Sequence, residues 1–434
     1  MNFTDFDFHP RITAGIQAAG YTHPTPIQAR ALKPALQGRD IMGLAQTGTG
    51  KTAAFVLPIL QRLIQGSGRG VRALIVAPTR ELAEQTHQAI HTLGRRTGLR
   101  SVTVYGGVSI HRQIQDLKRG TDIVVACPGR LLDHLGRNAI DLARIEMLVI
   151  DEADQMLDMG FLPDIRRILG RLPKGRQSLL FSATMPDEIR KLADDLLTDP
   201  VTVQIGIAKP VETVQHALFP VAAHLKTPLL LKLLPRTNTG SVLVFTRTKH
   251  RAKRLGEQLA RAGYRSASLQ GNLSQNRRQA ALDGFRDGTF QVLVATDIAA
   301  RGIDVAKVSH VINYDVPATT DAYIHRIGRT GRASRSGDAF TLVTTEDDAM
   351  VRAIDRVLGH RVERRTLPDF DYRARPQEPD PVRASTPRPR RAAPSSPNPF
   401  ALKSVRGRFA GKSPSSRGDR SDPRRRAGSG CGFK

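Results

Sequence analysis

The chain has 434 residues, 40% of them hydrophobic, which is enough for two folded domains and a tail. Neither a run of about 18 apolar residues nor a basic-then-apolar N-terminal segment occurs, so we expect no membrane span and no secretory signal. The formal net charge of +26 favours a polyanionic partner, most simply nucleic acid. The two cysteines have neither the spacing of a disulfide framework nor that of metal ligands, so we expect a reducing, cytoplasmic setting.

Short apolar segments rich in β-forming residues alternate with helical patterns along the first half of the chain. They lie at 73–78, 101–107, 122–128, 146–151 and 178–184. Most are continuously apolar, as strands buried on both faces are, and the connections are long enough for crossover helices. The pattern therefore predicts an α/β domain with a doubly wound parallel sheet.

The second half repeats this plan, with strand-like segments at 240–248, 264–270, 290–297, 308–315 and 338–344. We predict two tandem doubly wound domains at 1–207 and 216–362, a linker at 208–215, and a basic tail rich in Pro, Ser and Arg at 363–434. The last 54 residues carry 14 lysines and arginines against two aspartates, with few large apolar side chains. Such a composition cannot bury enough surface to offset chain entropy, so we predict that the tail is disordered.

The stretch "GLAQTGTGKTAAF" (43–55) lies between a strand-like and a helix-like segment. Gly48 and Gly50 would let the backbone N–H groups turn around an anion, Lys51 adds positive charge, and the Thr52 hydroxyl suits a magnesium ion. A helix that begins near Lys51 would also favour negative charge at its N-terminus. The pattern predicts a phosphate-binding loop, although Ala45 stands where the first glycine is usual. An ordinary strand-to-helix turn is the alternative.

The segment "LVIDEAD" (148–154) places acidic residues at the end of a predicted buried strand. Asp151 is a candidate ligand for a magnesium ion shared with Thr52 and the nucleotide phosphates, and Glu152 is a candidate base that deprotonates water. An acidic helix start is the alternative, and we adopt it for Asp154.

The segment "HRIGRTGR" (325–332) follows a predicted strand of the second domain. Arg329 and Arg332 are spaced to reach one anionic centre, and guanidinium groups from a second domain can stabilise charge on a transferred phosphoryl group. A solvated basic loop is the alternative, but such a loop does not need the paired glycines.

Taken together, these motifs resemble those of the DEAD-box ATP-dependent RNA helicases, most closely the bacterial RhlE-like branch, over residues 1–345. The resemblance implies two RecA-like domains, with ATP and Mg²⁺ as cofactors. "GYTHPTPIQ" (20–28) resembles the family's adenine-reading segment, with Gln28 as the adenine ligand and Phe3 upstream as the stacking ring, and "AQTGTGKT" (45–52) is the family form of the phosphate loop. The implied nucleotide-binding residues are Phe3, Gln28, Ala45, Gln46, Thr47, Gly48, Thr49, Gly50, Lys51, Thr52, Gly302 and Asp304.

Further segments resemble the family's RNA-contacting loops: 78–82, 106–107 and 127–130 in the first domain, and 270–278 and 295–304 in the second. The implied RNA-binding residues are Thr79, Arg80, Gly106, Gly107, Gly129, Arg130, Gln270, Gly271 and Thr296. "SAT" (182–184) resembles the segment that couples hydrolysis to strand separation, through Ser182 and Thr184. Cys127 departs from the family pattern, because Thr is typical there, and we expect it to pack as a small apolar residue.

The resemblance implies an RNA-stimulated ATPase that separates short RNA duplexes or remodels RNA–protein complexes, with Lys51, Glu152, Arg329 and Arg332 as catalytic residues. Single-stranded RNA and short duplexes are the expected partners, and ribosome-assembly or RNA-decay proteins are further candidates. Two alternatives stay open: a DNA-acting motor of the same superfamily, and an RNA clamp whose ATPase only times its release. A phosphate-loop kinase is disfavoured because it leaves the second domain's arginines without a role.

Overall fold

The structure, a computed structural model, describes residues 1–46, 48–66, 68, 70–205, 214–237, 241–300, 308–331 and 337–375. These residues lie within one compact unit. Their strands form two seven-stranded sheets in which every strand pair is parallel. The predicted fold of two tandem parallel α/β domains is therefore confirmed.

The first sheet belongs to the N-terminal half. Its strands are β1 (Ile41–Leu44), β2 (Ala73–Val76), β3 (Ser101–Val104), β4 (Ile123–Ala126), β5 (Met147–Ile150), β6 (Gln177–Ser182) and β7 (Val201–Gln204). The helices of this half are α1 (Pro10–Ala18), α2 (Pro26–Leu36), α3 (Lys51–Gln65), α4 (Arg80–Leu93), α5 (Ile110–Lys118), α6 (Pro128–Gly136), α7 (Ala153–Asp158), α8 (Leu162–Leu169) and α9 (Asp187–Leu196).

The second sheet has the same plan. Its strands are β8 (Val214–Pro220), β9 (Val242–Phe245), β10 (Ser266–Leu269), β11 (Val292–Ala295), β12 (His310–Asn313), β13 (Gly337–Val343) and β14 (Glu363–Arg364). The described helices of this half are α10 (Lys226–Leu233), α11 (Lys249–Arg261), α12 (Gln275–Arg286), α13 (Asp297–Ala300), α14 (Thr320–Ile327) and α15 (Asp348–Leu358). Short 3₁₀ helices lie at Phe3–Phe6, Ala223–Leu225, Leu234–Thr237 and Thr345–Asp347.

The central strands are continuously apolar because helices cover both faces of each sheet. Successive residues of a strand point to opposite faces, and β2 illustrates the result. Ala73 and Ile75 pack into one hydrophobic cluster, whereas Leu74 and Val76 pack into another on the opposite face. The two layers of helices leave the carboxyl ends of the strands open, which is where ligands bind in such sheets.

The order of strands across the first sheet is β3-β4-β2-β5-β6-β1-β7, and across the second it is β10-β11-β9-β12-β13-β8-β14. Numbered from the first strand of each half, the two orders are identical. In both sheets the first strand therefore lies between the sixth strand and the seventh, which is the edge strand.

Three strands were not predicted: β7, β8 and β14. β7 is a half-exposed edge strand, and β8 mixes polar residues with a proline. The predicted linker at 208–215 overlaps β8 by Val214 and Gln215, and its other residues lie outside the described part of the chain, as do residues 376–434 of the predicted tail.

The tail was predicted to begin at residue 363, but residues 363–375 are ordered against the second sheet. β14 pairs with β8, Leu367 is buried in the adjoining hydrophobic cluster, and Phe370 and Tyr372 pack against it. The Leu367 N–H donates to the Tyr372 hydroxyl at 2.9 Å. The three large apolar side chains explain the difference, because they bury surface that the composition of the whole tail does not suggest.

Within the described residues, none of the helices has the length and apolar character that crossing a bilayer requires.

Candidate functional site

The predicted phosphate loop joins β1 to α3 at the open edge of the first sheet. Gly50 has φ +95°, and a Cβ there would lie 2.6 Å from the Gln28 Nε2, so only glycine fits between the loop and that side chain. Gln28 is buried: its Oε1 accepts from the Thr25 N–H at 2.9 Å, and its Nε2 donates to the Gly50 carbonyl at 3.0 Å. The structure thus brings Gln28 to the loop. Thr47 lies outside the described residues.

Other residues of the loop are arranged around Lys51, the first residue of α3. The Thr49 hydroxyl donates to the Gln46 carbonyl at 2.7 Å and closes the turn. The buried Lys51 ammonium has no hydrogen-bond partner among the described residues. A buried ammonium without a hydrogen-bond partner is costly, and a bound anion would supply that partner, so the site is suited to an anion.

The predicted acidic residues follow β5 directly. Asp151 is buried, and desolvation raises its pKa to about 7 although the nearby Lys51 ammonium opposes the rise. Glu152, also buried, has φ 53° and ψ 54°, a left-handed conformation that is strained for a residue with a Cβ. Strain of this kind clusters at functional sites, and here it turns the Glu152 side chain away from the path of an ordinary strand.

The acidic groups also bear on metal binding. The described residues contain no group of three or more His, Cys, Asp or Glu side chains that could hold a metal ion by themselves. One buried carboxylate, Asp151, and one hydroxyl, Thr52, instead suit a magnesium ion, which keeps several waters and is held in part by substrate phosphates.

Asp154 lies in the first turn of α7, as predicted, and it also has partners that the sequence did not indicate. Its Oδ2 accepts hydrogen bonds from the Thr184 N–H at 2.9 Å and the Thr184 hydroxyl at 3.1 Å, and it lies 3.8 Å from the His325 Nε2 of the second half. The Ser182 hydroxyl accepts from the Asp154 N–H at 3.2 Å and donates to the Thr184 carbonyl at 2.7 Å. The residues predicted for coupling therefore link the acidic segment to the second half through Asp154.

The arginines of 325–332 differ in their surroundings. Arg326 is buried and fully engaged: it forms a bidentate pair with Asp297 and donates to the Asn313 side chain and the Asp315 carbonyl. Arg329 is also buried, and it lines a small polar cavity with Gln155 and His325 at the junction of the two halves. Arg332, Gly302 and Asp304 lie outside the described residues.

A large cleft of about 560 Å³ opens at the carboxyl edges of both sheets. Seven of the predicted RNA-binding residues line it: Thr79, Arg80, Gly106, Gly129, Arg130, Gly271 and Thr296. Gly107 lies beside the Arg80 guanidinium with φ +80°, so a residue with a Cβ would be strained there and would displace that group. The Gln270 side chain is buried and accepts from the Asn272 N–H at 2.7 Å, so it shapes its loop and does not line the cleft.

Cys127 also lines this cleft but is largely buried among apolar residues, as predicted. Burial raises the pKa of its thiol to about 12, so the sulfur stays protonated and unreactive.

Several lining residues were missed from the sequence. Arg247 and Lys249 lie after β9, and Met159, Phe161 and Leu273 add apolar surface. Arg278 crosses between the halves: its Nε and Nη2 donate to the Glu81 Oε1 at 2.8 and 2.6 Å, and nearby the Arg80 Nη1 donates to the Gln275 Oε1 at 3.4 Å. Leu273 and Arg278 belong to the segment 270–278 that was predicted to contact RNA, but no local signal in the sequence identifies the partner of Arg278 on α4.

The predicted stacking ring, Phe3, is only 7% exposed and packs between Phe6 and Tyr21, with ring centroids 6.5 and 6.0 Å away. Tyr21, next to the Gln28 segment, is 40% exposed. The accessible ring is therefore Tyr21, with Phe3 supporting it from behind.

Comparison with known proteins identifies the family. A model of the DEAD/DEAH box helicases matches residues 25–192, and a model of the helicase conserved C-terminal domain matches residues 225–334. The DEAD-box ATP-dependent RNA helicase CshA of Bacillus subtilis (strain 168) is 41% identical over 372 residues, which cover 86% of this chain and 75% of CshA. The chain belongs to the DEAD-box ATP-dependent RNA helicases. CshA of Geobacillus kaustophilus (strain HTA426) is 40% identical over 370 residues, which cover 85% of this chain and 79% of that CshA.

This DEAD-box helicase is also similar in structure to solved proteins of the family. The structure of S. cerevisiae Dbp5 bound to RNA and ADP BeF3 has a TM-score of 0.75 at 33% identity, covering 84% of this chain and 94% of that chain. A DEAD box protein from the hyperthermophile Methanococcus jannaschii has a TM-score of 0.51 at 35% identity, covering 84% and 99%. The two-domain fold and the ATP-hydrolysing activity of the family thus apply to this chain.

Proposed function

We propose that this helicase is an RNA-stimulated ATPase that locally separates short RNA duplexes or remodels RNA–protein complexes. The observation that carries the proposal is the contact between the nucleotide and RNA regions of the two halves. Asp154 of the DEAD segment faces His325 at 3.8 Å, and Glu81 beside the large cleft pairs with Arg278 at 2.6 Å. Because both the nucleotide site and the large cleft contact this junction between the halves, binding at one site would affect the other, which supports coupling between the two sites.

The similarity to solved structures supports the same view. At nearly equal identity and equal coverage of this chain, the TM-score is 0.75 with Dbp5 bound to RNA and ADP BeF3 and 0.51 with the M. jannaschii protein. Because each half has the same fold in these proteins, we attribute the difference to how the halves are arranged. We infer that the arrangement described here corresponds to the closed state that ATP and RNA together favour.

In the proposed chemistry, Lys51 binds the nucleotide phosphates, Glu152 deprotonates the attacking water, and Arg329 and Arg332 stabilise the charge that develops on the transferred phosphoryl group. The unpaired Lys51 ammonium and the strained, buried Glu152 support these roles. Thr52 and Asp151 would hold magnesium, which neutralises phosphate charge when it is bound.

Further nucleotide contacts are proposed along the loop and from the second half. Gln28 and the aromatic pair of Tyr21 and Phe3 would read the base, with Tyr21 as the exposed ring. The remaining proposed contacts are Ala45, Gln46, Thr47, Gly48, Thr49, Gly50, Gly302 and Asp304.

The large cleft is the proposed site for one RNA strand. Its lining combines Arg80, Arg130, Arg247 and Lys249 with backbone-rich glycine loops, which suits a sugar–phosphate backbone and gives no sequence preference. Gly107 and Gln270 would act by shaping the loops, and Ser182 and Thr184 would transmit closure to Asp154.

The central experiment compares ATPase stimulation by RNA and by DNA of the same sequence, together with single-turnover unwinding of a short RNA duplex. We expect stimulation by RNA alone and unwinding that requires ATP. Equal stimulation by DNA would favour the DNA-acting motor, and RNA-stimulated hydrolysis without any strand separation would favour the RNA clamp.

Finer assignments belong to the same proposal. We propose a first domain at 1–207, a linker at 208–215 and a second domain from 216, together with membership of the RhlE-like branch, a cytoplasmic location, and partners in ribosome assembly or RNA decay. The ordered residues 363–375 argue for moving the end of the second domain to about residue 375. Crosslinking to RNA in cells, followed by sequencing, would identify the bound transcripts.

A further inference from the structure

Two loops of the first half that line the large cleft meet at one buried side chain, Gln113 of α5. The first loop contains Gly106 and Gly107 and follows β3. The second contains Gly129 and Arg130 and begins α6. Gln113 lies beneath both of them and is 5% exposed, although it belongs to neither loop.

Both the nitrogen and the oxygen of the Gln113 amide are hydrogen-bonded. Its Nε2 donates to the Tyr105 carbonyl, immediately before the two glycines, at 2.9 Å. Its Oε1 accepts from the Arg130 Nη1 at 3.2 Å and from the His134 Nε2 at 3.0 Å. The opposite orientation of the amide would turn its NH₂ group toward a guanidinium and its oxygen toward a carbonyl, so the three partners fix the orientation.

Arg130 closes the same link from the other side. Its Nη1 also donates to the Val108 carbonyl, just after the two glycines, at 3.1 Å, and its Nε lies 3.5 Å from Asp133. The guanidinium is thus held in one place by both loops, and Arg130 lines the cleft. His134 is fully buried, and burial lowers its pKa, so it stays neutral and contributes a fixed N–H to the link.

We infer that Gln113 is a positioning residue of the RNA-binding surface, which ties the glycine turn at 106–107 to the Arg130 guanidinium so that the two loops present one phosphate-binding surface. The inference rests on the proposed binding of RNA in the large cleft. Gln113 would not touch RNA. It would prevent the two loops from moving independently, so that RNA binding has fewer groups to immobilise and loses less free energy to their ordering.

The test is Gln113→Met, which keeps the size of the side chain and removes both hydrogen-bonding groups. We expect the RNA concentration for half-maximal ATPase stimulation to rise about tenfold, as for the loss of a hydrogen bond to a charged group. Turnover at saturating RNA and the KM for ATP should stay within roughly twofold, because the nucleotide residues are untouched. Gln115→Met, at an exposed position of the same helix, is the matched control.

A double-mutant cycle with Arg130→Ala separates positioning from general destabilisation. If Gln113 acts through Arg130, Gln113→Met should add less than about twofold to the half-saturating RNA concentration in the Arg130→Ala background. Additive effects would overturn the inference, as would a lowered unfolding temperature with unchanged half-saturation in Gln113→Met. If Gln113→Met does not fold, Gln113→Glu serves instead. This variant keeps acceptors for Arg130 and His134 but removes the donor to the Tyr105 carbonyl. A rise of approximately threefold in the half-saturating RNA concentration would support the inference, and an unchanged value would contradict it.

The same assay separates this inference from the proposed function. If Arg80→Ala and Arg130→Ala both leave the RNA dependence unchanged, the large cleft is not the RNA site, and the inference fails with it. If those variants weaken RNA binding while Gln113→Met and Gln113→Glu do not, only the role of Gln113 is wrong.

Discussion

The two halves of the molecule have the same strand order, but charged groups at equivalent positions differ in their hydrogen-bond partners. Lys51 begins the helix after β1, and its ammonium has no hydrogen-bond partner among the described residues. Lys226 begins the helix after β8, but its Nζ donates to the Tyr314 carbonyl at 3.1 Å and lies 4.0 Å from Asp347. The loop before Lys226 contains no glycine, so it cannot wrap an anion as the first loop does.

The carboxylates after β5 and β12 differ in the same way. Asp151 lies beside Lys51, and burial raises its pKa to about 7. Asp315, after β12, accepts from the Arg251 guanidinium at 2.6 Å and from the Arg247 N–H at 2.8 Å. The shared topology fixes where a site can form. The first half leaves the Lys51 ammonium without a hydrogen-bond partner among the described residues, whereas Lys226 and Asp315 are hydrogen-bonded within the second half. In the proposed mechanism the second half instead contributes arginines to the site in the first.

The largest effect should come from removing that contribution. We expect Arg329→Ala to lower ATP turnover by about 10³-fold, because an arginine from a second domain stabilises mainly the transition state. Affinity for ATP without RNA should change far less. Turnover at saturating ATP and RNA measures the effect, with Arg352→Ala at an exposed position of the same half as control. Weakened ATP binding with normal turnover would contradict the assignment.

Glu152→Gln should lower turnover by about 10²-fold, the usual contribution of a general base. ATP and RNA binding should persist, so the variant should accumulate as a complex with both ligands. Slow release of labelled RNA in the presence of ATP measures this, with the exposed Glu188→Gln as control. Near-normal hydrolysis would exclude Glu152 as the base.

Lys51→Met and Lys226→Met test the comparison directly. Lys51→Met should weaken ATP binding about 10–100-fold, because it removes a charged contact to phosphate. Lys226→Met should leave ATP binding unchanged and lower the free energy of unfolding by about 1–3 kcal/mol, since it leaves the Tyr314 carbonyl without its donor. Nucleotide titration and urea unfolding distinguish the two results. If Lys226→Met also weakened ATP binding, the proposed difference between Lys51 and Lys226 would be wrong.

A smaller effect is expected at the base. Tyr21→Ala should reduce the preference for ATP over GTP roughly 3–10-fold, the value of one aromatic contact, and Gln28→Ala should reduce it as well. Phe3→Ala should act more weakly, because that ring is behind Tyr21. Competition between the two nucleotides measures the preference. A stronger effect of Phe3→Ala than of Tyr21→Ala would restore the stacking role first predicted for Phe3.

The smallest effect on turnover should follow deletion of residues 381–434, since every proposed catalytic residue precedes them. The segment carries 14 lysines and arginines against two aspartates. We expect weaker RNA binding at low salt, and a log affinity versus log salt slope flatter by roughly 0.7 for each phosphate that the tail neutralises in the full-length protein. Coincident slopes for the full-length and truncated proteins would show that the tail only aids solubility.

The sequence was sufficient for the fold class and for residues that follow strands of the central sheet. Continuous apolar strands and glycine loops leave strong local patterns, and Lys51, Asp151 and Glu152 lie where those patterns predict. Contacts between the halves leave no such pattern, because each partner is ordinary in its own segment. Asp154 resembles a helix-start residue until Thr184 and His325 are brought beside it, and Arg278 resembles a solvated arginine until it meets Glu81. Gln113 was missed because its partners Tyr105, Arg130 and His134, although in the same half, lie outside its own helix.

The position of β1 and β8 within their sheets has a consequence for synthesis on the ribosome. β1 pairs with β7, which ends at Gln204, and β8 pairs with β14, which ends at Arg364, so each sheet is complete only when its last strand has been made. At about 5–20 residues per second, the second sheet is completed roughly 10–30 s after the first. During that interval the nascent chain has Lys51 and Glu152 but lacks a folded source of Arg329. We therefore expect a chain that is still being translated to bind nucleotide before it can hydrolyse it.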